Sequence, residues 1–267
     1  MNKTILGNSL EYLKTLENES IDLILTDPPY NTTDCKWDSK LSWDEWWIEW
    51  RRIIKPTGTI VLTCQMPVLV DIVSSGLDLY RHRWIWKKDK CGNFLVAKGQ
   101  PLKYTEDVLV FSKMKYVKVH NSKKPTSIYN PQMREGTGVV REMNGERSGL
   151  SAKQIQNRGG NTYLKSNPET DGIKRYPQDL LFFNVPQKKE ERLHPTQKPV
   201  LLFEYLIKTY TNEGMTVLDC FAGSMTTAIA CLETKRNYIC IEQEEEMYNK
   251  AKERIAKYEQ EQKSKLF

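Results

Sequence analysis

Short apolar runs alternate with amphipathic segments at both ends of this chain, whereas its middle shows neither pattern. Residues 21–26 form a run rich in Ile and Leu, which is typical of a strand buried in a parallel sheet. Residues 59–64, 216–220 and 238–241 have a similar character. Apolar positions at helical spacing predict helices between such runs, for example over 200–210. The alternation predicts an α/β fold: a mixed, mostly parallel sheet with helices on both faces.

The most strongly patterned helix is predicted to begin after Ser42. Four tryptophans follow on one helical stripe: Trp43, Trp46, Trp47 and Trp50. Such a stripe suits stacking on bases, but an apolar face packed on the sheet is the simpler interpretation. Ser42 and Glu45 have the spacing of a capping box, and Ser9 is the predicted N-cap of an earlier helix.

The middle of the chain, residues 112–192, has a charge balance of its own. It contains 16 Lys and Arg against 8 Asp and Glu, whereas the rest contains 24 against 26. Four tyrosines are interleaved with the basic residues: Tyr116, Tyr129, Tyr163 and Tyr176. This mixture suits phosphate contacts and base stacking, although a solvated lysine-rich loop has the same composition. We predict one domain formed by 1–111 and 193–267, with 112–192 inserted as a polyanion-facing region.

Composition adds three further limits. The chain has 267 residues and a formal net charge of +6, and no apolar run is long enough to span a membrane. Its first residues do not resemble a secretory signal. The six cysteines form no C-x-x-C pair, and three histidines provide no zinc-type spacing. We therefore expect a cytoplasmic protein with reduced thiols and no metal site.

The tetrapeptide Asp27-Pro28-Pro29-Tyr30 directly follows the run 21–26. Proline lacks the N–H that a strand ladder needs, so the chain leaves the sheet at a carboxyl end, where α/β folds bind ligands. The Asp27 carboxylate and the Pro28 carbonyl are two acceptors for the hydrogens of an –NH₂ group, and Tyr30 offers a face to a flat ring. Two such acceptors would make an aromatic amine more nucleophilic. A strand followed by an ordinary proline turn is the alternative.

A second loop, residues 219–227, joins a predicted strand to a predicted helix. Gly223 and the small residues around it allow a ligand to approach the backbone closely. Glu242 lies 19 positions after Gly223, at the end of the next strand, where an acidic residue commonly accepts hydrogen bonds from ribose hydroxyls. The loop lacks the G-x-G-x-x-G pattern, which disfavours NAD.

Both loops resemble the motifs of the amino-group DNA methyltransferases, which transfer a methyl group from S-adenosylmethionine (AdoMet) to adenine N6 or cytosine N4. The tetrapeptide 27–30 is similar to their catalytic motif. Residues 219–227 are similar to their AdoMet loop, D-P-F-x-G-S-G-T-T, with Cys220 and Met225 replacing Pro and Gly. Residues 194–199, His-Pro-Thr-Gln-Lys-Pro, resemble the segment that precedes this loop. The order of the motifs resembles that of the β group of the family.

The resemblance implies a Rossmann-like, AdoMet-dependent methyltransferase fold and a role for each matching residue. The catalytic loop would consist of Asp27, Pro28, Pro29 and Tyr30. Asn8, where the family often has Asp, would lie near the cofactor adenine, and Met225 is expected to narrow the pocket or to weaken AdoMet binding. Asp219 would either contact the cofactor or orient its own loop. Cofactor contacts are implied for the following residues: Asn8, Asp27, Thr196, Lys198, Pro199, Asp219, Phe221, Ala222, Gly223, Ser224, Thr226, Glu242 and Gln243.

The function that follows is site-specific methylation of adenine N6 in double-stranded DNA, with the base flipped out of the helix. Residues 112–192 would then recognise the target sequence. Cytosine N4 is the first alternative, because the motif holds only an amine. A catalytically impaired, AdoMet-binding DNA-binding protein and an RNA or protein amine methyltransferase are the others. The resemblance also implies a homodimer and allows a cognate restriction endonuclease as a partner.

Overall fold

The computed structural model describes residues 2–30, 41–92, 94–115, 126–135, 174–186, 193 and 196–264. It contains the following strands in chain order: β1 (Lys3–Leu6), β2 (Ile21–Thr26), β3 (Ile54–Cys64), β4 (Tyr80–Gly92), β5 (Lys103–Ser112), β6 (Arg134–Glu135), β7 (Lys174–Arg175), β8 (Leu180–Phe182), β9 (Thr216–Asp219) and β10 (Asn237–Glu242). Its α-helices are α1 (Ser9–Thr15), α2 (Trp43–Ile53), α3 (Val68–Ser75), α4 (Val200–Tyr210), α5 (Thr226–Glu233) and α6 (Glu245–Ser264).

The chain divides into two compact units, one formed by Met1–Asn130 and Asp179–Phe267, the other by Pro131–Gln178. The described part of the smaller unit contains the antiparallel pair β6 and β7, in which Arg134 lies opposite Arg175 and Glu135 opposite Lys174. All four side chains are exposed. Three of the four are basic, so this small sheet presents positive charge to solvent.

The larger unit is built on an eight-stranded sheet in the order β1-β10-β9-β2-β3-β5-β4-β8. Strands β1, β10, β9, β2 and β3 are parallel, whereas β5 runs antiparallel to both β3 and β4. β8 is parallel to β4. None of the helices in the described ranges combines the length and apolar character that a membrane span requires.

Helices cover both faces of this sheet, as the side chains of β2 illustrate. All six residues of β2 are buried. Leu23 and Leu25 belong to a hydrophobic cluster with side chains of α4, α5 and α6. Ile21 and Ile24 belong to a second cluster with side chains of α1, α2 and α3. The predicted fold class, a mixed and mostly parallel sheet between two helical layers, is confirmed.

The tryptophan stripe of α2 packs against the sheet, as its helical spacing predicted. The four tryptophans of the stripe are buried, and Trp50 is completely enclosed. Trp47 and Trp50 meet edge to face with ring centroids 5.3 Å apart, and Trp47 also contacts Phe111 of β5. Packing therefore accounts for this stripe.

The predicted cap of α1 was at the wrong residue, whereas α2 begins after Ser42 as predicted but lacks the side-chain bond of the predicted capping box. α1 is capped by Asn8, whose Oδ1 accepts a hydrogen bond from the Glu11 N–H at 3.1 Å. Ser9 is the first helical residue, and its hydroxyl donates to the Cys220 carbonyl at 2.5 Å. Ser42 precedes α2 without a side-chain capping bond. A serine hydroxyl binds whichever acceptor the tertiary structure brings near, which local sequence does not reveal.

Gly76 should not tolerate a side chain, because it ends α3 directly beneath Trp47. A Cβ atom at position 76 would lie 2.3 Å from Trp47 Cζ2. The indole cannot move easily, since it is buried and its Nε1 donates to Ser75 Oγ at 2.9 Å. We expect Gly76→Ala to lower the free energy of unfolding by about 1–3 kcal/mol, measured by urea denaturation.

Gly99→Ala is the matched control, since a Cβ there would meet only the Val96 carbonyl oxygen at 3.8 Å. It should change the free energy of unfolding by less than about 0.5 kcal/mol. Equal effects of the two substitutions would show that the contact with Trp47 is not the cause.

Candidate active site

Most of the predicted site residues follow the carboxyl ends of three neighbouring parallel strands, β10, β9 and β2, whereas Asn8 follows β1 and residues 196–199 precede α4. These ends meet at one edge of the sheet, so loops that are distant in sequence lie together. A cavity of about 500 Å³ opens there. Pro199 does not line it and instead precedes α4 as the N-cap residue. The other predicted site residues all line it: Asn8, Asp27, Pro28, Pro29, Tyr30, Thr196, Lys198, Asp219, Phe221, Ala222, Gly223, Ser224, Thr226, Glu242 and Gln243.

The Asp27 carboxylate is held by donors from three parts of the chain. Its Oδ1 accepts hydrogen bonds from the Tyr30 hydroxyl at 2.6 Å and from the Thr63 hydroxyl at the end of β3. Its Oδ2 accepts from the Lys198 ammonium at 2.6 Å. Burial, with the charges of Asp27 and Glu106, holds the pKa of Tyr30 well above its usual value. The Tyr30 hydroxyl therefore remains a donor, and the carboxylate is fixed in one orientation.

Lys198 connects Asp27 to a second buried carboxylate, that of Glu106 in β5. Lys198 Nζ lies 3.4 Å from Glu106 Oε2, and the Lys88 ammonium pairs with Oε1. Burial alone would lower the pKa of Lys198 and raise that of Glu106, but the opposite charges around each outweigh it. The pKa of Lys198 is consequently raised and that of Glu106 lowered, so both groups are charged at neutral pH.

Asp219 orients its own loop. Its Oδ1 accepts from the Thr26 hydroxyl at 2.6 Å and from the Phe221 N–H at 3.1 Å. Its Oδ2 accepts from the Thr227 hydroxyl. The side chain thereby ties the end of β2, the loop after β9 and the start of α5 together. Of the two roles expected for Asp219, these bonds support the orientation of the loop.

Asp219 should make the stability of the protein depend on pH. Burial raises its pKa to about 6, against 3.8 when unperturbed, even though three hydrogen bonds oppose the shift. The folded state therefore binds this proton more tightly than the unfolded state. The resulting stabilisation is complete below pH 4 and is lost as the pH rises through about 6, which amounts to about 2–3 kcal/mol.

The comparison with Asp219→Asn isolates this contribution, since other titrating groups cancel in the difference. We expect wild type to lose about 2–3 kcal/mol relative to Asp219→Asn between pH 4 and pH 7, measured by urea denaturation. Asp78→Asn is the control with the opposite sign, because its hydrogen bond to Arg51 lowers the pKa of Asp78. A difference between wild type and Asp219→Asn that is the same at every pH would contradict the assignment.

Glu242 bridges the end of β10 and the loop after β9. Its Oε2 accepts from the Gly223 N–H at 2.7 Å, and its Oε1 accepts from the Glu244 N–H at 2.8 Å. Gly223 has φ +47°, a left-handed conformation that favours glycine. Each Glu242 oxygen retains a lone pair for a further donor, and both residues line the cavity.

Met225 does not narrow the cavity, contrary to expectation. Its side chain is completely buried in the cluster with α4, α5 and α6. The backbone explains why the family favours glycine here, since Met225 has φ +54°. A side chain in the left-handed region costs about 1–2 kcal/mol, which the burial of Met225 offsets.

The residues around the cavity that the sequence did not identify as site residues include Thr63, Glu106, Trp46 and Arg254. Trp46 lines the cavity, and its ring centroid lies 4.6 Å from that of Phe221. Arg254 of α6 donates to the Ser224 carbonyl at 2.7 Å and so supports the loop after β9. Trp46 belongs to the tryptophan stripe for which base stacking was considered, whereas no local pattern in the sequence marks Thr63, Glu106 or Arg254.

Several predictions fall on residues that the structure does not describe, including His194, Pro195, Tyr116 and Tyr163. Tyr129 belongs to the larger unit and packs against the cluster with α4, α5 and α6. Tyr176 belongs to the smaller unit, where its carbonyl accepts a hydrogen bond from Arg134 Nε at 3.3 Å.

The fold and the cavity define an α/β protein whose candidate site lies at the carboxyl ends of parallel strands. A family model described as DNA methylase, N6_N4_Mtase, matches residues 21–253. The chain belongs to this family of DNA methyltransferases, as its motifs predicted.

Curated relatives match nearly the whole chain. The type II methyltransferase M.HpaI of Haemophilus parainfluenzae is 30% identical over 95% of this chain and 74% of its own length. The DNA adenine methyltransferase YhdJ of Escherichia coli is 29% identical over 90% of this chain and 78% of its own.

Solved structures share the fold. The M1.HpyAVI–SAM complex aligns with a TM-score of 0.63 and 23% identity, over 96% of this chain and 99% of the other. The PvuII DNA methyltransferase, described as cytosine-N4-specific, aligns with a TM-score of 0.61 and 17% identity, over 94% and 84%. Such a fold therefore occurs in an enzyme that methylates cytosine.

Proposed function

We propose that this DNA methyltransferase acts on adenine N6 in double-stranded DNA. The observation that carries the proposal is the placement of Asp27, oriented by three donors, in the same cavity as Gly223 and Glu242. The carboxylate that can bind an amine and the loop that can bind a nucleoside therefore lie in the same cavity.

S-adenosylmethionine is the methyl donor, and the residues of the cavity fit it. A volume of about 500 Å³ is within the ~300–1,000 Å³ that small-molecule sites occupy. The free lone pairs of Glu242 suit ribose hydroxyls. Asn8 follows β1, the strand beside β10, and so provides a polar side chain near Glu242 for the adenine. Because Gly223 has no side chain, the sugar can approach the backbone closely at this position. When bound, the cofactor supplies an electrophilic methyl carbon on a positively charged sulfur.

The chain's own residues orient the target base. A flipped base would stack on Tyr30, whose ring is fixed by the bond from its hydroxyl to Asp27. The Asp27 carboxylate and the Pro28 carbonyl accept the two amine hydrogens and favour a tetrahedral nitrogen whose lone pair is available. In direct displacement the nitrogen would bond to the methyl carbon while the carbon–sulfur bond breaks, and the methylated amine would then release one proton to solvent. Positioning by the chain's own residues supplies much of the rate, and no covalent enzyme intermediate is needed.

Adenine is favoured over cytosine by the residue that begins the tetrapeptide. In the family, Asp at this position leans towards adenine and Ser towards cytosine, and this chain has Asp27. A relative that covers most of the chain is named an adenine methyltransferase. Cytosine N4 remains the second candidate, because Asp27 and Pro28 hold only the amine that both bases share.

DNA recognition is assigned to residues 112–192, which carry the excess of basic side chains. Within the described part of this region, exposed Arg134, Lys174 and Arg175 suit phosphate contacts. The predicted catalytic domain, 1–111 and 193–267, lies within the larger unit, Met1–Asn130 and Asp179–Phe267. A homodimer and a partner endonuclease stay predictions.

Single-molecule sequencing of genomic DNA from a methylation-free host that expresses this chain tests the proposal. We expect N6-methyladenine at one short sequence motif. N4-methylcytosine at one motif would keep the mechanism and overturn the choice of base. Unmodified DNA, with AdoMet binding demonstrated separately, would favour an impaired DNA-binding protein or a substrate other than DNA.

A further inference from the structure

Four charged side chains form an alternating chain beside the cavity: Asp27, Lys198, Glu106 and Lys88. Lys198 Nζ lies 2.6 Å from Asp27 Oδ2 and 3.4 Å from Glu106 Oε2, and Lys88 pairs with Glu106 Oε1. Asp27, Lys198 and Glu106 line the cavity. Glu106 and Lys198 are each only 6% exposed.

The side chain of Lys88 is partly exposed, so water can satisfy its hydrogen bonds without Glu106. Glu106 also does not contact Asp27, so it does not hold that carboxylate directly. Its Oε2 is buried and makes no hydrogen bond within the described residues, although Lys198 is near enough for an ion pair. The two lysines compensate for the burial of this carboxylate, so Glu106 keeps its negative charge beside the cavity.

The charge of Lys198 creates a difficulty for the proposed reaction. The methyl carbon must approach an amine held at Asp27, so the positively charged sulfur must lie in the same space as the Lys198 ammonium. Two positive charges in a partly buried cavity repel each other strongly. Asp27 and Glu106 together balance the charges of Lys198 and Lys88, whereas Asp27 alone would leave one excess positive charge beside the cavity.

We propose that Glu106 is a positioning residue that, through Lys198, makes the cavity favour the cationic sulfonium of AdoMet over the neutral thioether of S-adenosylhomocysteine. This inference rests on the proposed position of the target amine at Asp27. Methyl transfer converts the sulfonium into the thioether, so the same charge that favours the cofactor does not retain the product. Lys198 meanwhile keeps Asp27 in the orientation that receives the amine.

Calorimetric titration of the full chain with each ligand, without DNA, tests this selectivity. Glu106→Gln preserves the shape of the side chain and removes its charge. We expect it to weaken AdoMet binding on the order of 10-fold more than S-adenosylhomocysteine binding. Asp107→Asn is the matched control, because Asp107 is the next residue of β5, pairs with Arg83 at 2.9 Å and does not line the cavity. It should leave the ratio of the two affinities unchanged.

Two further variants separate charge from shape. Glu106→Asp retains the carboxylate and should keep most of the wild-type ratio. The double variant Glu106→Gln with Lys198→Gln removes one charge of each sign, so it returns the cluster to zero net charge and should restore the preference for AdoMet. If Glu106→Gln weakens both ligands equally, or leaves both unchanged, the inference is wrong and Glu106 has at most a structural role.

The inference and the proposed function fail in different ways. DNA that stays unmethylated despite the expected shift in ligand preference would overturn the proposed function and leave the charge selection standing. N6-methyladenine at one motif, with a preference that Glu106→Gln does not change, would overturn the charge selection alone.

Discussion

Asp27→Ala should lower the rate of methyl transfer by a factor of ~10³ or more while AdoMet still binds. The substitution removes one of the two proposed acceptors of the target amine. It also removes the acceptor that Tyr30, Thr63 and Lys198 share. The rate should be measured in single-turnover assays on DNA that carries the recognition motif, with AdoMet affinity determined separately by calorimetry.

Thr63→Val is a milder test of the same site. It removes one donor to Asp27 Oδ1 but leaves the carboxylate and the bonds from Tyr30 and Lys198 in place. We expect a loss of roughly 10-fold in rate, because the carboxylate would be less firmly oriented. Near wild-type transfer by Asp27→Ala, with cofactor bound, would show that Asp27 is not the catalytic acceptor.

The sequence identified the fold and two loops of the site for a simple physical reason. Apolar strands that end in prolines or in a small-residue loop place their next residues at a carboxyl end of the sheet, and parallel strands share that edge. Asp27 and Gly223 follow such strands, and Glu242 is the last residue of β10, so three local patterns were enough to predict a common site.

Glu106 shows why the rest of the site could not be read from sequence. In chain order β5 is an ordinary strand, and Glu106 lies near its beginning. Because β5 runs antiparallel to β3, with Asp107 opposite Cys64, its beginning reaches the edge where the parallel strands end. Strand direction and register are tertiary properties, so no local pattern places Glu106 beside Lys198.

Met225 illustrates a second limit. The motif comparison identified Met225 as a departure from glycine, but the consequence depends on where the side chain points. In the structure the Met225 side chain points into the core and not into the cavity. Methionine in place of glycine therefore strains the backbone but does not narrow the cavity. Sequence identified the unusual position, whereas packing decided its effect.

Glu242→Ala should weaken AdoMet binding by a factor of ~100 or more. The carboxylate is the proposed acceptor for the ribose hydroxyls, and a hydrogen bond to a charged group contributes about 1.5–3 kcal/mol. The substitution also leaves the Gly223 and Glu244 N–H groups without the acceptor that now holds their loops. Both effects act against cofactor binding, which calorimetry measures directly.

Glu242→Gln and Glu246→Ala complete the design. The glutamine keeps one oxygen acceptor but places a donor where the other oxygen was, so it should lose roughly 10-fold in AdoMet affinity. Glu246 is an exposed residue of α6 that pairs with Lys250, and its removal should not change the affinity. The proposed role fails if Glu242→Ala binds AdoMet as tightly as Glu246→Ala does. The ribose would then have to be held by another residue of the cavity, since Glu242 would serve only to join β10 to the Gly223 loop.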